Sequence, residues 1–258
     1  MRKLIGIELV KMRHDWATWL MAVITIGQGF FYAASMRYAI ASYPKIEYIS
    51  YVPSTARWIC MASVFMVAYV IAGDFSMRTV QNVLSIGVDK KIYYLSRLFA
   101  QMIFIFVIYA GGCIVFVVSR IVLTGTVNTA MSFWEFMAVF LVMALQPMVY
   151  VALANMIGVF CKNQGIAVIL SELSLLLLLI LRMYSVGEDF YTGDGSRLLL
   201  KGPLAYEPMY LLEICNAFAY SDAGIFSFSF FKYAVSALSI IAITTVAGYA
   251  RLIHSDLQ

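Results

Sequence analysis

The sequence predicts an all-α integral membrane protein, with six transmembrane helices behind an N-terminal interfacial helix, and three observations carry that prediction. The 258 residues are 63% hydrophobic and only 12% charged, with a mean hydropathy of +0.87, where a soluble domain is typically ~45–50% apolar and ~25% charged. The apolar runs are long and unbroken, as helices in hydrocarbon are, and lack the alternation of barrel strands. Lys and Arg gather in short segments that fall on one side of the predicted topology.

The elements follow in chain order. Residues 1–15, MRKLIGIELVKMRHD, set Leu4, Ile5, Leu9 and Met12 at helical spacing, with Arg2, Lys3, Lys11 and Arg13 available to a polar side. This describes an interfacial helix, or alternatively a charged extension of the first span. The stretch from Trp16 is too long for a signal-peptide core and reads as a retained span. Spans are predicted over 16–41, 58–73, 98–118, 136–160, 165–181 and 230–250. The second is short and is expected to extend further. The whole chain, 1–258, reads as a single transmembrane domain.

An even number of spans puts both termini on one side. That side holds Arg2, Lys3, Lys11, Arg13, Arg78, Lys90, Lys91, Arg97, Lys162 and Arg251 in short segments. On the other, Lys45, Arg57, Arg120, Arg182, Arg197 and Lys201 are spread over longer loops and diluted by Glu47, Glu188, Asp189, Asp194, Glu207, Glu213 and Asp222. Cytoplasmic termini are therefore predicted, although Arg37 and Lys232 run against the bias. The external stretch 182–229 combines glycines and prolines with apolar runs at 198–200 and 209–212, and is expected to form short helices against the bundle.

Several chemistries find no support. The net charge of +4 forms no stripe for nucleic acid. Cys60, Cys113, Cys161 and Cys215 show no C-x-x-C spacing and read as small buried hydrophobes, while His14 and His254 stand at opposite ends of the chain. No H-E-x-x-H, no nucleophile with a nearby base and no G-x-x-x-x-G-K-[ST] string occurs, so the chain is not expected to be an enzyme.

The most informative stretch joins the second and third spans, residues 74–97. Merely reversing the chain takes a few residues, and this segment has many more. Val80, Val83 and Leu84 form one face of a short helix, Gly87 supplies a stop, and Asp89, Lys90 and Lys91 follow. A short amphipathic helix projecting from a membrane bundle invites a protein partner.

In these residues the chain resembles the permease subunits of ABC transporters of the ABC-2 type. Asp74 matches the acidic residue after the second span, Thr79 the threonine of a Gly-Thr pair, Asn82 and Leu84 the helix, Gly87 the turn, Lys90 or Lys91 a basic residue and Arg97 the cation heading the third span. Arg78 stands where the family usually has glycine. The resemblance implies that Asp74, Arg78, Thr79, Asn82, Leu84, Gly87, Asp89, Lys90 and Arg97 belong to a coupling segment docking on a separate cytoplasmic ATPase subunit. It implies too that ATP and Mg bind that subunit, with no cofactor on this chain. A second permease, a copy or a related chain, would complete the pathway in a bacterial plasma membrane. The Gly87-Val88-Asp89 turn and the small size look most similar to the subgroup for bacteriocin, lantibiotic or bacitracin immunity and antimicrobial-peptide export.

Polar residues inside predicted spans are the other candidates, because burial in lipid drives them towards the bundle interior. Gln28, Gln146, Asn155 and Glu172 are the expected pathway residues. Glu172 also fits a helix–helix hydrogen bond, Pro147 a kink, and Gly27 and Gly29 a close helix approach or a bend. An ion-coupled secondary carrier using Glu172 and a non-transport membrane scaffold remain alternatives. The substrate is not legible beyond an amphipathic peptide, antibiotic or lipid-like molecule.

Overall fold

The structure is a computed structural model, and residues 1–35, 44–124, 133–185 and 230–254 are described. The short helices expected within 182–229 fall almost wholly outside the described residues. The described elements are all helical: α1 (Arg2–His14), α2 (Trp16–Ser35), α3 (Pro44–Ser76), α4 (Thr79–Ser85), α5 (Lys90–Thr124), α6 (Phe133–Met143), α7 (Leu145–Cys161), α8 (Gln164–Ser185) and α9 (Phe230–Ile253).

Local chemistry sets the boundaries. Asp15 separates α1 from α2 and caps the latter, its Oδ2 accepting from the Thr18 backbone N–H at 3.3 Å and from Thr18 Oγ1 at 3.1 Å. Pro44 opens α3, where a missing N–H costs nothing. Pro147 cannot donate to the carbonyl four residues back, and the helix breaks at Ala144 between α6 and α7. Lys162, left-handed at φ 54°, ends α7; Asn163 then caps α8 through the Ile166 N–H at 3.2 Å.

Among the described residues, three of the expected spans lie on helices long and apolar enough to cross a membrane: Lys90–Leu123, Phe136–Cys161 and Tyr233–Ile253. A fourth is added if Ala62–Ser76 and Thr79–Ser85, bent by 64° to one another, are taken together. Thr18–Phe31 and Gln164–Leu177 are shorter apolar helices.

The core lies where α3 packs on α7 and α8, α7 on α9, and α2 on α5. Gly158 lets α3 and α7 meet closely, since a Cβ there would lie 2.7 Å from Ile71 Cγ2. Gly248 does the same for α9, where a Cβ would lie 2.2 Å from the Tyr94 hydroxyl of α5. Small residues at helix crossings are how apolar helices gain packing area without a hydrophobic driving force. At Gly27, among the described residues, nothing lies within 4 Å of the position a Cβ would take, so no close helix approach is made there.

One end of the bundle gathers many helix termini. Lys11 of α1 and Arg97 of α5 meet Asp74 of α3. Lys90 Nζ donates to the Ile253 carbonyl of α9 at 3.0 Å. Gln164 Nε2 of α8 donates to the Tyr69 carbonyl of α3 at 3.2 Å, and the Arg251 guanidinium stands 5.7 Å over the Phe160 ring of α7. Accordingly α2, α3, α5, α6–α7, α8 and α9 run alternately away from this end and towards it.

Candidate functional site

At this end the chain makes its excursion from α3 to α5. After Ser76 it turns through Met77 and Arg78, forms α4, turns again through Ile86 and Gly87, and enters α5 at Lys90. Val80 faces inward and is buried, with Val83 and Leu84 half-buried beside it, as the sequence periodicity predicts. Gly87 has φ 91°, a conformation glycine adopts without a Cβ clash, and its N–H returns to the Leu84 carbonyl at 3.0 Å. Arg78 is also left-handed, at φ 57°, which costs a side-chain-bearing residue roughly 1–2 kcal/mol.

Asp89 is exposed and caps α5, its Oδ1 accepting from the Lys91 N–H at 2.6 Å and the Ile92 N–H at 3.3 Å. This cap starts α5 well before the predicted span at 98, so that 90–97, read from sequence as connecting segment, is helix continuous with the span.

The root of the excursion is an enclosed ion network. The Asp74 and Arg97 side chains are 2% and 3% exposed, and Arg97 Nη2 stands 2.5 Å from Asp74 Oδ2. Lys11 pairs with the other carboxylate oxygen. Arg97 further donates through Nη1 to the Tyr93 hydroxyl at 2.8 Å and through Nη2 to the Val70 carbonyl at 3.0 Å, so the turn of α5 from Tyr93 to Arg97 is tied to α3. Its guanidinium carbon also stands 5.9 Å from the Tyr93 ring centre. Glu8 of α1 lies close enough to act electrostatically on both Arg97 and Tyr93. Two carboxylates and two cations thus offset one another where an unpaired charge would carry a large desolvation cost.

The nine sequence-predicted docking residues therefore separate into two sets. Asp74 and Arg97 are inside, bracing the two feet of the excursion. Arg78, Asn82, Gly87 and Asp89 are exposed, with Thr79, Leu84 and Lys90 half-buried. Lys90 is engaged with the end of α9. Sequence reasoning missed Glu8, Lys11 and Tyr93 as members of the network. The available signal was Glu8 and Lys11, three residues apart, falling among the apolar positions of α1. It also missed Met77 and Ile86, apolar side chains 69% and 82% exposed at the two turns flanking α4.

The four predicted pathway residues are not gathered by any one helix pair. Gln146 is buried and accepts from the Tyr233 hydroxyl at 2.9 Å, linking α7 to α9. Asn155 is buried, and neither atom of its amide has a partner among the described residues. Gln28 on α2 and Glu172 on α8 are half-buried; α2 packs on α3 and α5, whereas α8 packs on α3 and α7. Among the described residues, no group of three or more His, Cys, Asp and Glu could hold a metal ion. The two histidines each bond the carbonyl four residues back, His14 to Val10 and His254 to Ala250, both at 2.8 Å.

No protein-family model and no curated protein sequence matches the chain. The class defined by its own residues is an all-helical protein, among the described residues, with three helices long and apolar enough to cross a membrane.

Proposed function

We propose that this chain is the permease subunit of an ATP-driven exporter of the ABC-2 type. It crosses a bacterial plasma membrane six times with cytoplasmic termini, and pairs with a second permease around a path for an amphipathic peptide, antibiotic or lipid-like substrate. The energy comes from separate ATPase subunits, which bind ATP and Mg. The observation that carries this reading is α4, a short helix set at 64° to the helix before it and displayed between two exposed apolar side chains, Met77 and Ile86. An excursion that only joined two spans would need neither the helix nor the apolar flanks.

Two further features support it. The backbone at Arg78 is left-handed, the conformation natural to the glycine that the family usually carries there. The alternating run of the helices brings α1, the excursion and the end of α9 to one end of the bundle, as six crossings with both termini on one side would. In this reading, movement of an ATPase groove on ATP binding displaces α4, and the Asp74–Arg97 brace passes that displacement to α3 and α5 together. The brace acts as a joint and does not contact the partner.

The test is crosslinking in membranes from cells carrying the intact operon, through a cysteine introduced at exposed Asn82. The expected product joins this chain to a nucleotide-binding subunit, and the same subunit copurifies with the wild-type chain in mild detergent. Absence of any ATPase in both preparations would overturn the reading.

A further inference from the structure

The apolar positions of α1 do not lie towards lipid as the sequence suggests for an interfacial helix. Met12 is 1% exposed and Leu4, Ile5 and Leu9 are half-buried, because α5 covers that face. The opposite face is outward and carries Arg2, Lys3, Ile7, Val10 and Arg13, with Ile7 62% and Val10 57% exposed. It continues onto the first turns of α2 through Trp16 and Trp19, 69% and 57% exposed. Trp19 fixes that continuity by donating from Nε1 to the Arg13 carbonyl at 2.6 Å.

Both carboxylates of this region are half-buried and engaged within the protein. Glu8 is half-buried beside Arg97 and Tyr93, with its Oε2 fully enclosed. Asp15 is occupied by Thr18. Lys11 turns inward to Asp74.

We infer that this outward face of α1, with the first turns of α2, binds anionic phospholipid. Cations alone would suit any acidic surface, but here they alternate with Ile7 and Val10 and lead directly into the exposed apolar side of α2, which includes Leu20 and Val23. A lipid offers both partners at that spacing, a negative headgroup beside the cations and acyl chains beside the apolar side chains. Tryptophans are placed where interfacial anchors stand, between the two. The inference shares only membrane embedding with the proposed function.

The test is native mass spectrometry of the full chain, delipidated in detergent and offered phosphatidylglycerol and phosphatidylcholine in equal amounts. Phosphatidylglycerol should be retained at least about tenfold more, since each cation at an anionic surface contributes roughly fivefold. The Arg2→Gln/Lys3→Gln/Arg13→Gln variant should lose that preference, while Arg2→Lys/Arg13→Lys keeps it. In the wild-type chain, which carries no risk of misfolding, the preference should also vanish in about 1 M salt, where screening acts within ~3 Å. Equal retention of both lipids, a preference that survives high salt, or one that survives the triple substitution in a folded variant would overturn the inference. The readout needs no ATPase, so its failure leaves the proposed function standing, and failure of ATPase capture leaves the lipid site standing.

Discussion

Arg97, about two turns into α5, is ion-paired with Asp74, near the end of α3, and between these two residues the chain leaves the bundle and returns. The pair is almost wholly enclosed, so removing either partner leaves a buried charge without its main counter-charge.

Asp74→Ala is expected to lower stability by about 3–5 kcal/mol, because Arg97 and Lys11 would both lose the carboxylate they pair with directly. Asp74→Ala/Arg97→Met should recover part of the loss. Thermal unfolding in detergent of the single and double variants checks this; a double variant as unstable as the sum of the singles would show that the two charges do not depend on each other.

Arg78→Gly is expected to leave the unfolding temperature unchanged or raised. Relief of the left-handed strain, ~1–2 kcal/mol, is set against the roughly 0.5–1 kcal/mol of backbone entropy that glycine loses on folding. Arg78→Val, whose branched side chain is least suited to positive φ, should lower stability by at least about 1 kcal/mol. Parallel melting curves of the two variants decide the matter.

Met77→Asp and Ile86→Asp are expected to leave the unfolding temperature nearly unchanged, because both side chains are already exposed. Each should reduce capture of the ATPase subunit severalfold. Pull-down yield at matched expression is the measurement, and undiminished capture by the double variant would place the contact elsewhere.

Gly158→Ala should cost about 1–3 kcal/mol, because the added methyl would lie 2.7 Å from Ile71 Cγ2 and the branched Ile71 side chain cannot swing clear. Gly27→Ala, with open space around it, should cost nothing measurable and serves as the control on the same thermal assay.

Tyr233→Phe should cost about 1 kcal/mol by removing the hydroxyl that donates to the buried Gln146 oxygen, measured by thermal unfolding.

Helix positions were legible where periodicity or a breaker spoke. Val80, Val83 and Leu84 announced α4, Gly87 its end, and Pro147 the interruption before α7. What covers a face was not legible. Leu4, Ile5, Leu9 and Met12 show that α1 has an apolar side, but spacing is the same whether lipid or α5 lies against it. Arg97 shows the same limit: a cation at the head of a span ordinarily reaches for headgroups, and only the arrival of Asp74 from 23 residues earlier in the chain turns it inward. The network escaped sequence reading because Lys11 and Asp74 are 63 residues apart. The start of α5 was missed because Asp89 was read for its charge, and its capping geometry exists only once the turn at Gly87 has formed.

The hydrogen bond from Lys90 to the Ile253 carbonyl sets the end of α9 beside the foot of the excursion. A fluorophore at His254, paired with a second at Asn82, would therefore form a short optical ruler from a fixed post to the exposed helix. It would record in real time how far α4 swings, under detergent or in a vesicle, without a label on any other subunit.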